Sequence, residues 1–286
     1  MNNIIYDIWF SSLDIENVTK LLLIEENTAE DIWNFKFEDF EEYNINKEEI
    51  EKILRAKNLD YANIAYQIMN QNNIKLFSIK DECYPRKLHQ IEDKPSYLYV
   101  RGNVDILDDD AVGIVGCRMA TNSGKSIARN IAKNLADRNI NIVSGLALGI
   151  DKYAHLGALD SNIGKTIAVL GCGISDDEVY PYQNKKVFER IIENGGAIVS
   201  EYCIGSRPEK NHFPYRNRII SGLSDKIIVV EAKKRSGSLI TANIAIDQGK
   251  DVFAVPGNIY ENNNVGTNNL IKEGAFLFSS IEDVFV

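Results

Sequence analysis

Residues 207–218 hold the densest chemistry of the 286-residue chain. Arg207, Lys210, Arg216 and Arg218 stand there against one acid, Glu209, with Phe213 and Tyr215 interleaved. Lys and Arg neutralise phosphates, and an aromatic ring offers a flat face on which any nucleobase can stack. Phe213 suits the stacking role, and Tyr215 is expected to anchor in the core. Pro214 fits the first turn of the apolar helix that follows, Ile219–Leu223. Lys233, Lys234 and Arg235 make a second basic run. Taken alone, such runs are usually solvated surface.

Glycine supplies the other half of the pattern. Gly116-Cys117-Arg118, Ser144-Gly145, Gly171-Cys172-Gly173, Glu201 with Gly205, Glu231 with Ser236-Gly237-Ser238, and Pro256-Gly257-Asn258 each follow an apolar run. One such turn means little. Six on one edge of a sheet predict a broad cleft where main-chain amides approach an anion closely. Arg118, Lys210 and Arg218 would add formal charge, so phosphate is the matching ligand.

Other chemistries find less support. Gly113-Ile114-Val115-Gly116 lacks the dinucleotide-binding glycine spacing. Ser123-Gly124-Lys125-Ser126 ends like an ATP-binding P-loop, but the loop's first glycine would fall at Met119. His89, His155 and His212 are isolated, so no metal site is assigned. His155, four residues after Asp151, is expected to orient the turn preceding it. Glu231 is the best acid–base candidate, with turn stabilisation an equal reading. No catalytic residue and no cofactor is assigned.

These residues need elements to position them. From Ala111 onward, β-branched runs (Val112–Val115, Ile140–Val143, Thr166–Leu170, Ala197–Val199, Ile227–Val230, Val252–Val255, Phe276–Phe278) alternate with helical stretches. Nearly unbroken runs are strands buried on both faces. The alternation predicts an α/β fold with a doubly wound, mostly parallel sheet over residues 111–286. Its sites belong at the carboxyl ends of strands, near the reversal of strand order. Residues 1–72 read as a small helical domain, with Asn46 or Asn44 capping a helix and Tyr61, Ile64, Ala65 and Ile68 at helical spacing. Residues 73–110 read as an extended connector packing on the core, with a short strand at Ile74–Phe77.

Charge is divided the same way. Residues 1–100 hold 11 Lys and Arg against 19 Asp and Glu, so most of the net charge of -9 lies there. The remainder is almost neutral, which allows a local cationic site. No apolar run is long enough to cross a bilayer, and no basic segment precedes the apolar start. Cys83, Cys117, Cys172 and Cys203 are widely spaced, which fits a reducing cytoplasm.

The motifs DECYPRKLHQIEDKPSYLYVRGN, GIVGCRMAT, IVSGLALGIDKYAH, AVLGCGISDDEVYPYQN, GAIVSEYCIGSRPEKNHFPYRNRIISGLSDKIIVVEA, SGSLITANIAIDQGKDVFAVPG and GTNNLIKEGA follow in this order. In residues and spacing the sequence resembles the DNA-processing protein A family, also called DprA or Smf, from about Asp81 to Asp283. The resemblance implies an extended Rossmann-like fold that binds single-stranded DNA without catalysis or cofactor. It implies protection of incoming strands in natural transformation, loading of the RecA recombinase, and a homodimer with no membrane attachment. Carried over by motif, Arg118, Lys210 and Phe213 contact DNA, as do Arg216, Asn217 and Arg218 of an Arg-Asn-Arg element. Ser144, Gly145, Gly171, Gly173, Gly237 and Ser238 would line the same edge. Two departures stand out. Cys117 replaces the family's usual serine before Arg118. The chain also ends without the winged-helix domain that many members carry, so what that domain adds is expected to be missing or supplied elsewhere. The competing reading, by analogy of fold, is a hydrolase of nucleotide N-glycosidic bonds. Its glycine-rich phosphate loop is matched only at Pro256-Gly257.

Overall fold

The computed structural model describes residues 3–285. Five short helices come first: α1 (Asn3–Ser11), α2 (Asn17–Glu26), α3 (Ala29–Asn34), α4 (Lys47–Arg55) and α5 (Asp60–Asn72). Next are β1 (Ile74–Ser78), α6 (Arg86–His89) and β2 (Tyr97–Gly102). Strands and helices then alternate as β3 (Ala111–Val115), α7 (Asn122–Ala136), β4 (Asn141–Ser144), α8 (Ile150–Ala158), β5 (Thr166–Leu170), α9 (Lys185–Glu193) and β6 (Ala197–Ser200). The chain ends with α10 (His212–Gly222), β7 (Lys226–Val229), α11 (Gly237–Asp247), β8 (Asp251–Ala254), α12 (Val265–Lys272) and β9 (Phe276–Leu277). Among the described residues, no helix is long and apolar enough to cross a membrane.

The nine strands form one sheet in the order β1-β2-β6-β5-β4-β3-β7-β8-β9. Every pair from β6 to β9 is parallel, and β1 and β2 join antiparallel at the β6 side. β3 is buried at all five positions because layers of helix cover both faces. Its Val112 and Ile114 share a core with Ala128, Ile131 and Leu135 of α7 and Ala154 of α8. Val115 belongs to the opposite core, with Phe188 of α9, Ile219 and Leu223 of α10, and Ala242 of α11. This is the predicted doubly wound arrangement.

The segment read as a connector does more than connect. Tyr97, Leu98, Tyr99 and Val100 are buried, and β2 bridges β1 to β6. Pro95 and Gly102 bracket this run so closely that the punctuation masks the strand between them. The helices of residues 3–72 continue the same core. Trp9 stands edge-on to Trp33 at 4.9 Å, and the Ser11 and Tyr99 hydroxyls hydrogen-bond at 2.7 Å. Tyr61 donates to the Ile204 carbonyl at 2.6 Å, which ties α5 to the loop after β6. Asn46 is the residue that caps α4, accepting from the Glu49 amide.

Strand order reverses between β3 and β7. To reach β7, the chain leaving β6 must pass β5, β4 and β3, and residues 201–211 with α10 make that passage. The basic, aromatic stretch thereby arrives at the switch point.

Helices α7 and α8 pack closely against each other. A β-carbon on Gly157 would lie 2.2 Å from the Arg129 carbonyl oxygen. Gly157→Ala is expected to lower unfolding free energy by about 1–3 kcal/mol through overpacking. A urea titration that shows an unchanged midpoint would contradict this contact.

Candidate functional site

A cleft of about 360 Å³ opens at the carboxyl ends of β3 and β7. One wall is the loop after β3, with Cys117, Arg118 and Met119. A second is the start of α10, with Lys210 and Phe213. The third is the turn into α11, with Arg235, Gly237 and Ser238. Arg118 and Lys210 are exposed and Phe213 is half-buried. The Arg118 guanidinium carbon lies 5.2 Å from the centre of the Phe213 ring. Gly171 backs the ring closely, since a β-carbon there would stand 3.2 Å from the ring edge and push it by a few tenths of an ångström. The Ser236 hydroxyl accepts from the Ser238 amide and starts α11, whose N-terminal dipole favours an anion in the cleft.

The loop that carries Arg118 is fixed from below. The Glu231 carboxylate accepts from the Thr121 amide at 3.0 Å, from the Thr121 hydroxyl, and from Asn263 at 3.2 Å. Asn263 also donates to the Met119 carbonyl at 2.9 Å. Of its two sequence readings, Glu231 therefore takes the turn-stabilising one. Gly149 completes the pin: with φ at +79° and a would-be β-carbon 2.2 Å from the Cys117 carbonyl, only glycine fits there. Cys117 itself is buried, and burial pushes its thiol pKa up.

A second scaffold holds the turn after β4. Leu146, fully buried, adopts a left-handed φ of +53°. Two groups hold it there, and two more hold its neighbour Gly145. The Leu146 amide donates to His155 Nε2 at 3.3 Å, and Asn184 donates to the Leu146 carbonyl at 2.7 Å. Gly145 next to it donates to Asp151 at 3.2 Å and accepts from Arg216 at 3.0 Å. His155 Nδ1 lies 2.7 Å from the Thr166 hydroxyl, which itself donates to the Ile142 carbonyl. The pattern assigns a neutral imidazole protonated at Nδ1. His155 thus orients this turn, as its spacing predicts. Burial, reinforced by the Arg216 cation, holds it at about 3 against an ordinary 6.5.

The remaining sequence candidates separate. Arg216 forms part of the cleft floor but is 4% exposed, donating to the carbonyls of Gly145 and Val169. Burial pulls its pKa down to about 10, with Asp151 opposing. Asn217 also reaches the cleft, donating to the Gly237 carbonyl at 3.4 Å. Arg218 does not reach it. It lies on the far side of α10, bidentate to Glu201 at 2.6 and 2.8 Å and 3.1 Å from Asp93. Its burial would depress the guanidinium pKa, but Glu201 outweighs that and raises it. A cation neutralised in this way cannot serve a phosphate as the sequence suggested. Tyr215 is no core anchor. It is 38% exposed, with the Arg218 guanidinium 3.8 Å above its ring.

The predicted broad edge is also narrower than six glycine turns suggest. Ser144 is fully buried and donates to the Ile114 carbonyl. Both main-chain groups of Gly145 are used internally. Gly171 backs Phe213, and the Gly173 amide donates to the Ser206 carbonyl at 3.0 Å. None of these four residues lines the cleft. Sequence reasoning missed Lys233 and Arg235 as cleft residues. Their position just before Gly237-Ser238 was the available signal. Among the described residues, no group of three or more His, Cys, Asp or Glu could hold a metal ion.

Residues 75–286 match the family model of DNA recombination-mediator protein A, a span that includes the whole cleft. The chain is 47% identical over 208 residues to DNA processing protein DprA of Streptococcus pneumoniae, covering 73% of this chain and 72% of the relative. The X-ray structure of DNA processing protein A from Streptococcus pneumoniae superposes with a TM-score of 0.84 at 37% identity, over 100% of this chain and 97% of that one. A structure of the Helicobacter pylori DNA processing protein A, which concerns its single-stranded DNA binding mode, gives a TM-score of 0.65 at 33% identity. That match covers 73% of this chain and 94% of the other.

Two outcomes test the scaffold. A neutral His155 in the fold and an ordinary one in the unfolded chain make its contribution full above about pH 6.5 and declining below it. The stability gap between the parent and His155→Gln should narrow by about 1.4 kcal/mol for each pH unit below 6.5. Urea denaturation at two pH values reads this, and a constant gap contradicts it. The comparison cancels titrations common to both proteins, such as Asp7, which burial raises to about 6. Separately, Arg218→Ala strands the Glu201 carboxylate and should cost about 3 kcal/mol of stability. A loss below 1 kcal/mol in the same assay would deny it a structural role.

Proposed function

The chain belongs to the DNA recombination-mediator protein A family, and on that premise we propose that it binds single-stranded DNA in the cleft between β3 and β7. The observation that carries this reading is the pairing of two exposed cations, Arg118 and Lys210, with the Phe213 ring at a strand-order reversal. Arg118 and Lys210 neutralise phosphates, Phe213 receives a base, and the α11 N-terminus with Gly237 and Ser238 adds main-chain donors. Lys233 and Arg235 extend the positive rim. Arg216 and Asn217 shape the floor, and Arg218 supports α10 from behind.

In this reading the protein is a binder and not an enzyme. It shields unpaired strands during transformation and recombination and helps place a RecA recombinase on them, acting as a cytoplasmic homodimer. The Helicobacter pylori relative, described for its single-stranded DNA binding, supports the ligand class. The N-glycosidic hydrolase reading is less well served, because the strand-end carboxylate of Glu231 is occupied by Thr121 and Asn263.

Binding should be indifferent to sequence and weaken steeply with salt as counterions are released. Arg118→Ala and Lys210→Ala should each lower affinity and reduce the logarithmic salt slope by about 0.7, the single-strand value for one phosphate contact. Phe213→Ala should lower affinity with the slope almost unchanged. Gel-shift titrations with an oligothymidylate at several salt concentrations separate the two effects. Unaltered affinity in all three variants would reject the site.

A further inference from the structure

An aromatic surface continues out of the cleft beyond Phe213. The Tyr180 ring centre lies 5.7 Å from that of Phe213, with the ring planes at 35°. Tyr180 is 44% exposed although it adjoins a half-buried ring. Isolated exposed aromatics need no explanation. This one extends a candidate stacking face, and its backbone is held in place.

The segment around it is anchored at both ends. Before it, the Glu178 carboxylate accepts from the amides of Ser175 and Gly205, and the Cys172 thiol donates to the Glu178 carbonyl at 3.4 Å. Val179 is buried between these anchors and the ring. After it, Asn184 donates to the carbonyls of Leu146 and Ala147 at 2.7 and 3.1 Å. Tyr180 is thus presented from the β5–α9 loop, which is tied to the turns after both β4 and β6. A ring held this way loses little freedom when a base covers it.

We propose that Tyr180 forms a second base-binding subsite, taking the nucleobase adjacent to the one received by Phe213. The inference rests on the single-strand reading above and extends it by one nucleotide. The geometry also selects the form of the ligand. The ring planes are tilted by 35°, so bases lying flat on the two rings are not parallel to each other and are splayed out of a regular stack. An unpaired, extended strand meets that requirement and a duplex does not. Because the contact is to a base face, it carries no sequence preference and no charge.

The test is fluorescence anisotropy with a labelled oligothymidylate of 20 nucleotides, titrated at several salt concentrations with the full chain. Tyr180→Ala should weaken binding about 5- to 150-fold with an unchanged salt slope. Tyr180→Phe should bind like the parent, since it keeps the ring. Tyr180→Leu, which keeps bulk without a π face, should bind as weakly as Tyr180→Ala, and it decides the matter if the alanine variant does not fold. The subsite is refuted if Tyr180→Leu retains parental affinity, if Tyr180→Phe is as weak as Tyr180→Leu, or if the loss comes with a shallower slope. A parent that binds no oligonucleotide overturns the single-strand reading itself, whereas a binding parent with indifferent Tyr180 variants overturns only this extension.

Discussion

A single buried guanidinium holds the working edge of the molecule together. Arg216 rises from α10 and donates to the carbonyls of Gly145 and Val169, so the helix is pinned to the ends of two adjacent strands. Lys210 and Phe213 lead into the same helix, and their position over the sheet follows from this attachment. A buried cation is costly unless its environment compensates. Here main-chain carbonyls and the Asp151 carboxylate do so, and the group stays charged at neutral pH although burial lowers its pKa to about 10.

Around this pin the positive charges divide their labour by exposure. Arg118 and Lys210 face solvent, and no salt bridge with an acid occupies them among the described residues. Arg218, two residues beyond Arg216, is buried against Glu201 and Asp93 and keeps no charge to offer. The α-helical repeat explains the contrast. Residues 216 and 218 stand about 200° apart around the axis, so one reaches the cleft floor and the other the opposite side of the helix. The three elements bordering the cleft are each fixed separately, by Arg216, by Glu231 and by the Ser236 cap.

Much of the scaffold was legible because burial on both faces leaves a plain record. All seven apolar runs after Ala111 are strands, and their alternation with helices gives the parallel order, but the edge strand β9 is exposed at both Phe276 and Leu277 and not buried as its apolar run predicts. β2 was hidden because proline and glycine bracket it. In the cleft, Arg118, Gly237 and Ser238 follow from the rule that sites sit at strand ends, and Lys210 and Phe213 from the run of bases interleaved with aromatics. Direction of side chains was harder to read. An Arg-Asn-Arg run looks like three contacts, and only the fold decides which members turn inward. Ser144, Gly145 and Gly173 sit at the right strand ends, yet their polar groups are consumed by neighbours there. Tyr180 carried no local signal, because its proximity to Phe213 spans two separate strand connections.

The contact between Arg118 and Phe213 has a consequence for recognition under the proposed function. At rest the ring already hosts a guanidinium, worth roughly 0.5–1 kcal/mol at an exposed site. A base arriving on that face displaces the guanidinium, which is then released beside the guest's own backbone. Ring and cation therefore act as one exchange device, in which hydrophobic capture and charge neutralisation happen in the same motion. Their energetic contributions are coupled and cannot be summed as independent parts.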